Sequence, residues 1–320
     1  AVLYRSNFQA REIEKALREY GIPYRVSGGP SWFDAREIRD GLSYLKLLFN
    51  PEDNPAFLRV ANTPKRGIGS SSMARLMDFA RAAGQSLFEA AADSQFQREL
   101  PERAARGLRG FTNMLIEFND RTQRGDPQDA GAVYREMLEH IDYGEWLDEQ
   151  ADKPEQARRR RKSLDDLVRW VERLSRDTDS PDELIARITL AAGPDDERNQ
   201  DADEVRLMTL HAAKGLEFPR VWLAGLEDGL LPHLRSIEEG RIEEERRLIY
   251  VGLTRAERRL SLSLCKTRRQ FGETSKREPS RFLAELPMKL LDWPGKDGAK
   301  PPTADEAKDS LAALKAMLEG

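Results

Sequence analysis

With 320 residues the chain is longer than the roughly 250 to 300 at which one core stops growing, so two domains are expected. Charged residues at 34%, hydrophobic ones at 39%, twelve Phe and five Trp exclude a disordered chain, and a net charge of −4 leaves any nucleic-acid surface to local segregation of sign. A single cysteine, Cys265, excludes an internal disulfide and suits the cytoplasm; with only three His it also excludes a zinc cluster and leaves little room for a cysteine-histidine or serine-histidine centre.

No apolar run approaches the ~20 residues that cross a bilayer, and no signal segment opens the chain, so no membrane partner is expected. The residues Ala1–Tyr4 read as a buried strand with no preceding loop, which predicts that the polypeptide is a piece of something longer. An amphipathic helix follows, with Phe8, Ile13, Ala16, Leu17 and Tyr20 on one face, then a turn at Gly21-Ile-Pro23 and a second strand to Val26. The triplet Gly28-Gly29-Pro30 breaks this pattern. Helical periodicity then dominates: Ile38 to Phe49, Pro55 to Ala61, Ser72 to Ala83, Ala104 to Arg121, Ala132 to Leu138, Gln156 to Leu174 and Asp182 to Ala191. An acidic tract from Asp195 to Glu204 precedes a return of strand-like runs. These are Val205 to Leu210, Arg220 to Gly225 and Leu260 to Leu264, with a helix Glu243 to Ala256 between the last two and a short helix Pro279 to Leu286 closing the pattern. The fold class predicted is α/β: a parallel-sheet domain of residues 1–27 and 202–291, interrupted by an all-α insertion, 28–201, and followed by a tail, 292–320, with one helix-like run at Leu311 to Leu318.

Three segments carry residues suited to phosphate and sugar. In His211-Ala-Ala-Lys-Gly-Leu-Glu217 a strand runs into a loop at what should be the carboxyl edge of the sheet. There Gly215 permits close backbone approach, His211 and Lys214 suit phosphate oxygens, and Glu217 suits ribose hydroxyls; a capping loop with solvated Lys214 and Glu217 fits the same residues. In Glu243 to Glu257 a helix would seat Leu248, Ile249, Val251, Gly252, Leu253 and Ala256 on the sheet and leave Arg255 free to reach a γ-phosphate, the competing reading being an exposed helix with acid-base pairs. In Asn62-Thr-Pro-Lys-Arg-Gly-Ile-Gly69 glycines precede a helix, so the turn's amides with Lys65 and Arg66 suit a DNA phosphate, or are ordinary turn chemistry. The run Arg158 to Lys162 reads as a solvated basic helix face, with a nucleic-acid patch as the minority reading. Nowhere does G-x-x-x-x-G-K-[ST] occur, nor an acidic strand end to hold magnesium, so the chain does not cradle a triphosphate alone.

Taken together, these segments resemble the carboxyl half of superfamily 1A DNA helicases of the Rep, UvrD and PcrA type. Leu3 to Arg11 is similar to the family's motif IVa, Val205 to Phe218 to motif V, and Glu243 to Glu257, with the specific run Val251-Gly-Leu-Thr-Arg-Ala256, to motif VI. Ser31-Trp-Phe33, Leu264-Cys-Lys266 and Pro279-Ser-Arg-Phe282 tilt the match toward the Rep branch. The resemblance implies a second RecA-like domain, 2A, with a mobile helical domain, 2B, swivelling about hinges near Gly28 and Asp201. By the same resemblance Arg255 senses the γ-phosphate, Gly215 and Glu217 belong to the nucleotide site, and Arg5, Asn7 and His211 meet single-stranded DNA. The turn of Lys65, Arg66, Gly67 and Gly69 would meet the duplex of a fork. ATP is then the implied cofactor, with Mg2+ held by an amino-terminal RecA-like half that is the chain's expected partner. The parent would be an ATP-dependent 3′ to 5′ helicase of replication or repair, this piece being inactive alone; a non-catalytic DNA-binding or partner-binding module is the alternative.

Overall fold

A computed structural model describes residues 1–192, 203–270, 273–287 and 291–293. Most of the acidic tract, the neighbourhood of Asp201 and the helix-like run at Leu311 to Leu318 lie outside the described residues. The chain divides into two compact units, 1–32 with 194–320, and 33–193.

In the first unit, β1 (Val2–Tyr4), α1 (Ala10–Glu19) and β2 (Tyr24–Ser27) form a strand-helix-strand element. The second unit, all helical, contains α2 (Arg36–Phe49), α3 (Asn54–Val60), α4 (Ser70–Ala83), α5 (Leu87–Ala92), α6 (Ser94–Glu99) and α7 (Glu102–Arg124). It continues with α8 (Ala130–His140), α9 (Tyr143–Glu149), α10 (Pro154–Arg176) and α11 (Pro181–Ala192). The long helices α7 and α10 turn Leu108, Phe111 and Leu115, and Leu167, Val168 and Val171, into a core where Phe111 meets Phe57 and Tyr44 edge-on at centroid distances of 5.2 and 6.5 Å. The chain then returns to the first unit with β3 (Val205–Thr209), β4 (Phe218–Ala224), α12 (Leu234–Glu238), α13 (Ile242–Leu253), β5 (Ala256–Ser263) and a hairpin of β6 (Thr267–Gln270) and β7 (Glu273–Lys276).

The main sheet is parallel in the order β2-β3-β1-β4-β5. Side chains alternate between its faces as the two-residue strand period requires: Leu3, Met208, Val221 and Leu223 pack on one side with Ile249 of α13, while Tyr4, Val26 and Leu207 pack on the other with Ala10, Ile13 and Leu17 of α1. Gly252 lets α13 approach, since a Cβ there would lie 2.5 Å from Leu210.

Three expectations are corrected here. The helix Glu243 to Ala256 stops at Leu253, because Ala256 pairs with Phe218 and is already strand. The segment Pro279 to Leu286 is a 3₁₀ turn, Arg281–Glu285. On α1, Phe8 is 48% exposed in a 3₁₀ turn ahead of the helix and Ala16 is exposed, whereas Glu14 is buried, holding the Ser31 hydroxyl at 2.9 Å and the Trp32 amide at 3.1 Å. Hydrogen-bond partners that sequence periodicity does not see thus decide which face goes inward.

Candidate nucleotide and nucleic-acid sites

The register separates the candidate residues of the first unit by sheet edge. Leu3 pairs with Met208 of β3 and with Leu223 of β4, so His211, three residues past Met208, lies beyond the carboxyl edge. Glu217 stands six residues before Leu223, about 20 Å back along the strand direction, at the amino edge. Residues 210–217 therefore cross from one edge to the other as a chain of turns, tied by Ala213 N to Thr209 O at 3.1 Å, Lys214 N to His211 O at 3.4 Å and Leu216 N to Ala213 O at 3.2 Å. Within it Gly215 adopts φ +85°, a region where a Cβ is strained. The reading that placed the whole of His211 to Glu217 at the carboxyl edge is corrected: only its beginning is there.

At the amino edge, Arg255 occupies the joint between α13 and β5, and its carbonyl accepts from the Phe218 amide at 2.9 Å. Its half-buried guanidinium donates from Nη1 to the Leu216 carbonyl at 2.8 Å, from Nε to the Val251 carbonyl at 3.0 Å and from Nη2 to the Thr254 hydroxyl at 3.1 Å. All three acceptors are neutral, so they fix the fork's orientation without cancelling its charge; no ion pair reaches it among the described residues. Glu217, the residue after its Leu216 contact, is exposed. A fixed, uncompensated cation beside an exposed carboxylate can hold a phosphate oxygen and a sugar hydroxyl side by side. Among the described residues, no group of three His, Cys, Asp or Glu side chains could hold a metal ion.

At the carboxyl edge lie Arg5 and Asn7, following β1, and His211, following the neighbouring β3, with the Leu210 amide bonded to the Tyr4 carbonyl at 2.9 Å. Asn7 and His211 are exposed. Arg5 is not free: Nε and Nη2 grip Glu245 at 2.9 and 2.7 Å. Glu245 is 1% exposed and also accepts from the His233 amide at 3.1 Å and the Ser236 hydroxyl at 2.8 Å. Burial pushes its carboxyl up, but the bonds from Arg5, Ser236 and His233 outweigh that and hold it below the usual range. Arg5 thus pins the β1 loop to α13. Sequence reasoning missed Glu245, although it stands four and seven residues before the buried Ile249 and Gly252 and so shares their helix face. A second buried acid, Glu227, was missed as well; it is fully buried and binds Arg268 at 2.7 Å and the Cys265 amide at 3.1 Å, fastening the β6–β7 hairpin.

In the helical unit, Asn62 Oδ1 accepts from the Arg66 amide at 2.8 Å and the Ile68 amide at 3.3 Å, closing the turn before α4. Lys65 and Gly69 are exposed, Gly69 capping α4. Arg66 points inward: Nη1 donates to the carbonyls of Val60 at 3.0 Å and Ala61 at 3.2 Å, Nη2 donates to the Tyr44 hydroxyl at 2.8 Å, and the guanidinium lies 4.7 Å from the Phe111 ring centre. Those donors are used on the protein's own carbonyls and on a hydroxyl, so the Arg66 side chain shapes the turn. Gly67, at φ +79°, leaves the room that Arg103 fills, its Nε 2.7 Å from where a Cβ would stand. Of the basic run, Arg161 is paired with Glu145 and Asp148, both at 3.0 Å.

The profile of the UvrD-like helicase C-terminal domain matches residues 1–267. The chain belongs to that family. Among curated members, the ATP-dependent DNA helicase Rep of Salmonella typhimurium is 43% identical over 99% of this chain and 48% of its own length. The ATP-dependent DNA helicase PcrA of Bacillus subtilis is 39% identical over 91% of this chain and 40% of its own, and DNA helicase II of Escherichia coli 38% identical over 91% and 41%. The chain therefore spans about half the length of the UvrD-like relatives it matches. No helix among the described residues is long and apolar enough to cross a membrane.

Proposed function

We propose that this chain is the 2A and 2B part of an ATP-dependent 3′ to 5′ DNA helicase acting in replication or repair, 2A being the sheet unit and 2B the helical one, and that the amino edge of its sheet is one wall of a nucleotide cleft. The observation that carries this is the seating of Arg255: three neutral acceptors orient the guanidinium beside Glu217 and leave its charge uncompensated. In the wall so formed, Arg255 offsets negative charge developing on a transferring phosphoryl group, Glu217 takes the ribose, and the Gly215 turn lets the nucleotide approach the backbone. The other wall, including the phosphate loop and the Mg2+ site, belongs to polypeptide of the kind that makes up the rest of the relatives' length. ATP hydrolysis by this chain alone is therefore not expected.

Coupling to DNA follows from the crossover. Asn7 and His211 at the carboxyl edge face a single strand, and residues 210–217 join His211 to Glu217 through consecutive hydrogen-bonded turns, so a shift at the nucleotide edge is carried to the DNA edge through a short, stiff segment. The turn of Lys65, Gly67 and Gly69 at the start of α4 meets the duplex.

The test joins this chain to the amino-terminal half of the Salmonella typhimurium Rep relative. Arg255→Ala should lower DNA-stimulated ATP turnover by about 10³-fold or more while single-strand affinity stays within about two-fold. Unchanged turnover removes Arg255 from the chemistry. A joined protein that binds DNA but never hydrolyses ATP supports the non-catalytic binding module instead.

A further inference from the structure

Glu14 is fully buried on α1, a place where a carboxylate is stable only when its oxygens are engaged. Two of its partners belong to the segment that leaves β2: the Ser31 hydroxyl donates at 2.9 Å and the Trp32 amide at 3.1 Å. Arg18, one turn further along α1, lies with its guanidinium 3.8 Å from the Trp32 ring centre while Nη1 donates to the Tyr24 hydroxyl at 2.9 Å. The segment after β2 is therefore clasped to the helix that packs on its own sheet. A connection that only had to span a gap would need no buried acid to hold it.

Between β2 and this clasp stand Gly28 and Gly29, and both fit closely against the carboxyl edge of the sheet. A Cβ on Gly28, at φ +76°, would lie 2.6 Å from the Cβ of Ala212, the residue after His211. A Cβ on Gly29 would lie 2.5 Å from Oδ1 of Asn7 and 2.6 Å from both its Cγ and its Nδ2. Near-equal distances to all three atoms mean that the Asn7 carboxamide lies flat over a bare Cα, with its donor and acceptor edges open. The Asn7 backbone is fixed by its neighbours, since Gln9 Oε1 accepts from the Arg5 amide at 3.1 Å and the Ser6 amide at 3.0 Å. Its carboxamide, exposed, has no hydrogen bond to the protein among the described residues, so the contact with Gly29 is what orients it.

We infer that residues 28–32 form a brace, fastened by Glu14, that aims the Asn7 carboxamide at single-stranded DNA. Gly29 and Glu14 are positioning residues in this arrangement, and Asn7 is the contact. The brace rests on the reading of Asn7 and His211 as single-strand contacts and adds what sets the first of them. A carboxamide already held in its bound orientation loses little rotamer freedom when a nucleotide takes its donor and acceptor. Loosening the clasp lets Gly29 lift away, Asn7 turns freely, and that ordering cost returns to the binding step.

The experiment titrates the 320-residue chain and its variants into a labelled oligo-dT single strand at low salt, followed by fluorescence anisotropy. Asn7→Ala should weaken binding about two- to ten-fold, the worth of one hydrogen bond. Gly29→Ala puts a methyl group where the carboxamide lies, so it should weaken binding as much, with an unchanged circular dichroism spectrum. The double variant should bind no worse than Asn7→Ala alone, because the brace acts only through that side chain. Ser31→Ala opens one bond of the clasp away from the DNA edge; it should weaken binding by a smaller factor and have no effect once Asn7 is alanine. If Gly29→Ala does not fold, Ser31→Ala and its double variant decide the matter. Should Asn7→Ala weaken binding while Gly29→Ala and Ser31→Ala leave it unmoved, or add to it in the double variants, the brace is overturned and the Asn7 contact stands. An Asn7→Ala chain that binds like the wild type, or a wild-type chain that binds no single strand, overturns both.

Discussion

Two buried carboxylates bear weight that the exposed motif residues do not. Glu245 takes Arg5 into a pair that is almost wholly enclosed, so Glu245→Ala strands a guanidinium and should cost about 3 to 5 kcal/mol, read as a lowered midpoint in urea. Glu227 behaves alike: burial pushes its carboxyl up, but Arg268 and Cys265 pull it below the usual range. Since both acids titrate lower in the fold than unfolded, their contribution is complete above the unfolded value of about 4.3 and is lost as pH falls through the folded one. Urea midpoints measured from pH 6 down to pH 2 should therefore fall less steeply for Glu227→Gln than for the wild type, although the variant starts lower. An equally steep fall would show that Glu227 is not held ionised. For Cys265, burial and then the bond to Glu227 push the thiol up, so slow alkylation of the native chain near neutral pH is expected.

Among the elements, α13 carries most of the design. It brings Glu245 to Arg5, sets Gly252 on Leu210, and ends in time for Arg255 to stand where β4 and β5 begin. Gly252→Val would drive two methyl groups into a site where even a Cβ lies 2.5 Å from Leu210, so a loss of about 1 to 3 kcal/mol is expected in the unfolding midpoint, and Arg255 moves with the helix. The crossover turn has its own weak point. Gly215→Ala sets a Cβ at φ +85° in otherwise open space, so circular dichroism should show an intact fold with a modest drop in thermal midpoint, the strain being of order 1 kcal/mol. A drop as large as that for Glu245→Ala would mean the turn is packed rather than merely bent.

For the whole molecule, the deciding comparison is between the chain alone and the chain joined to a relative's amino-terminal half. The first should bind DNA without turning over ATP and the second should do both; turnover by the 320-residue chain alone would require a phosphate-binding element that its sequence does not contain. Membership of the UvrD-like family and the α/β class were legible because local patterns carry them: the strand runs at Val205 and Arg220, the glycine turn at Gly215 and the Val251 to Ala256 run fall where β3, β4, the crossover and the α13–β5 joint stand. Short helices such as α5, α6 and α9 were not, being too brief to show a period, and neither was the β6–β7 hairpin, whose anchor is a glutamate 41 residues away.

The residue types able to meet phosphate and ribose, and the order in which they occur, are properties of the sequence alone, because they depend on chemistry and spacing within single segments. Which charges remain available was decided by the tertiary structure. Arg5 and Arg66 are drawn inward by Glu245 and by the carbonyls ending α3, whereas Arg255 is held by neutral acceptors. The partners that settle this lie up to 240 residues away along the chain, a separation over which no periodicity or local motif carries information.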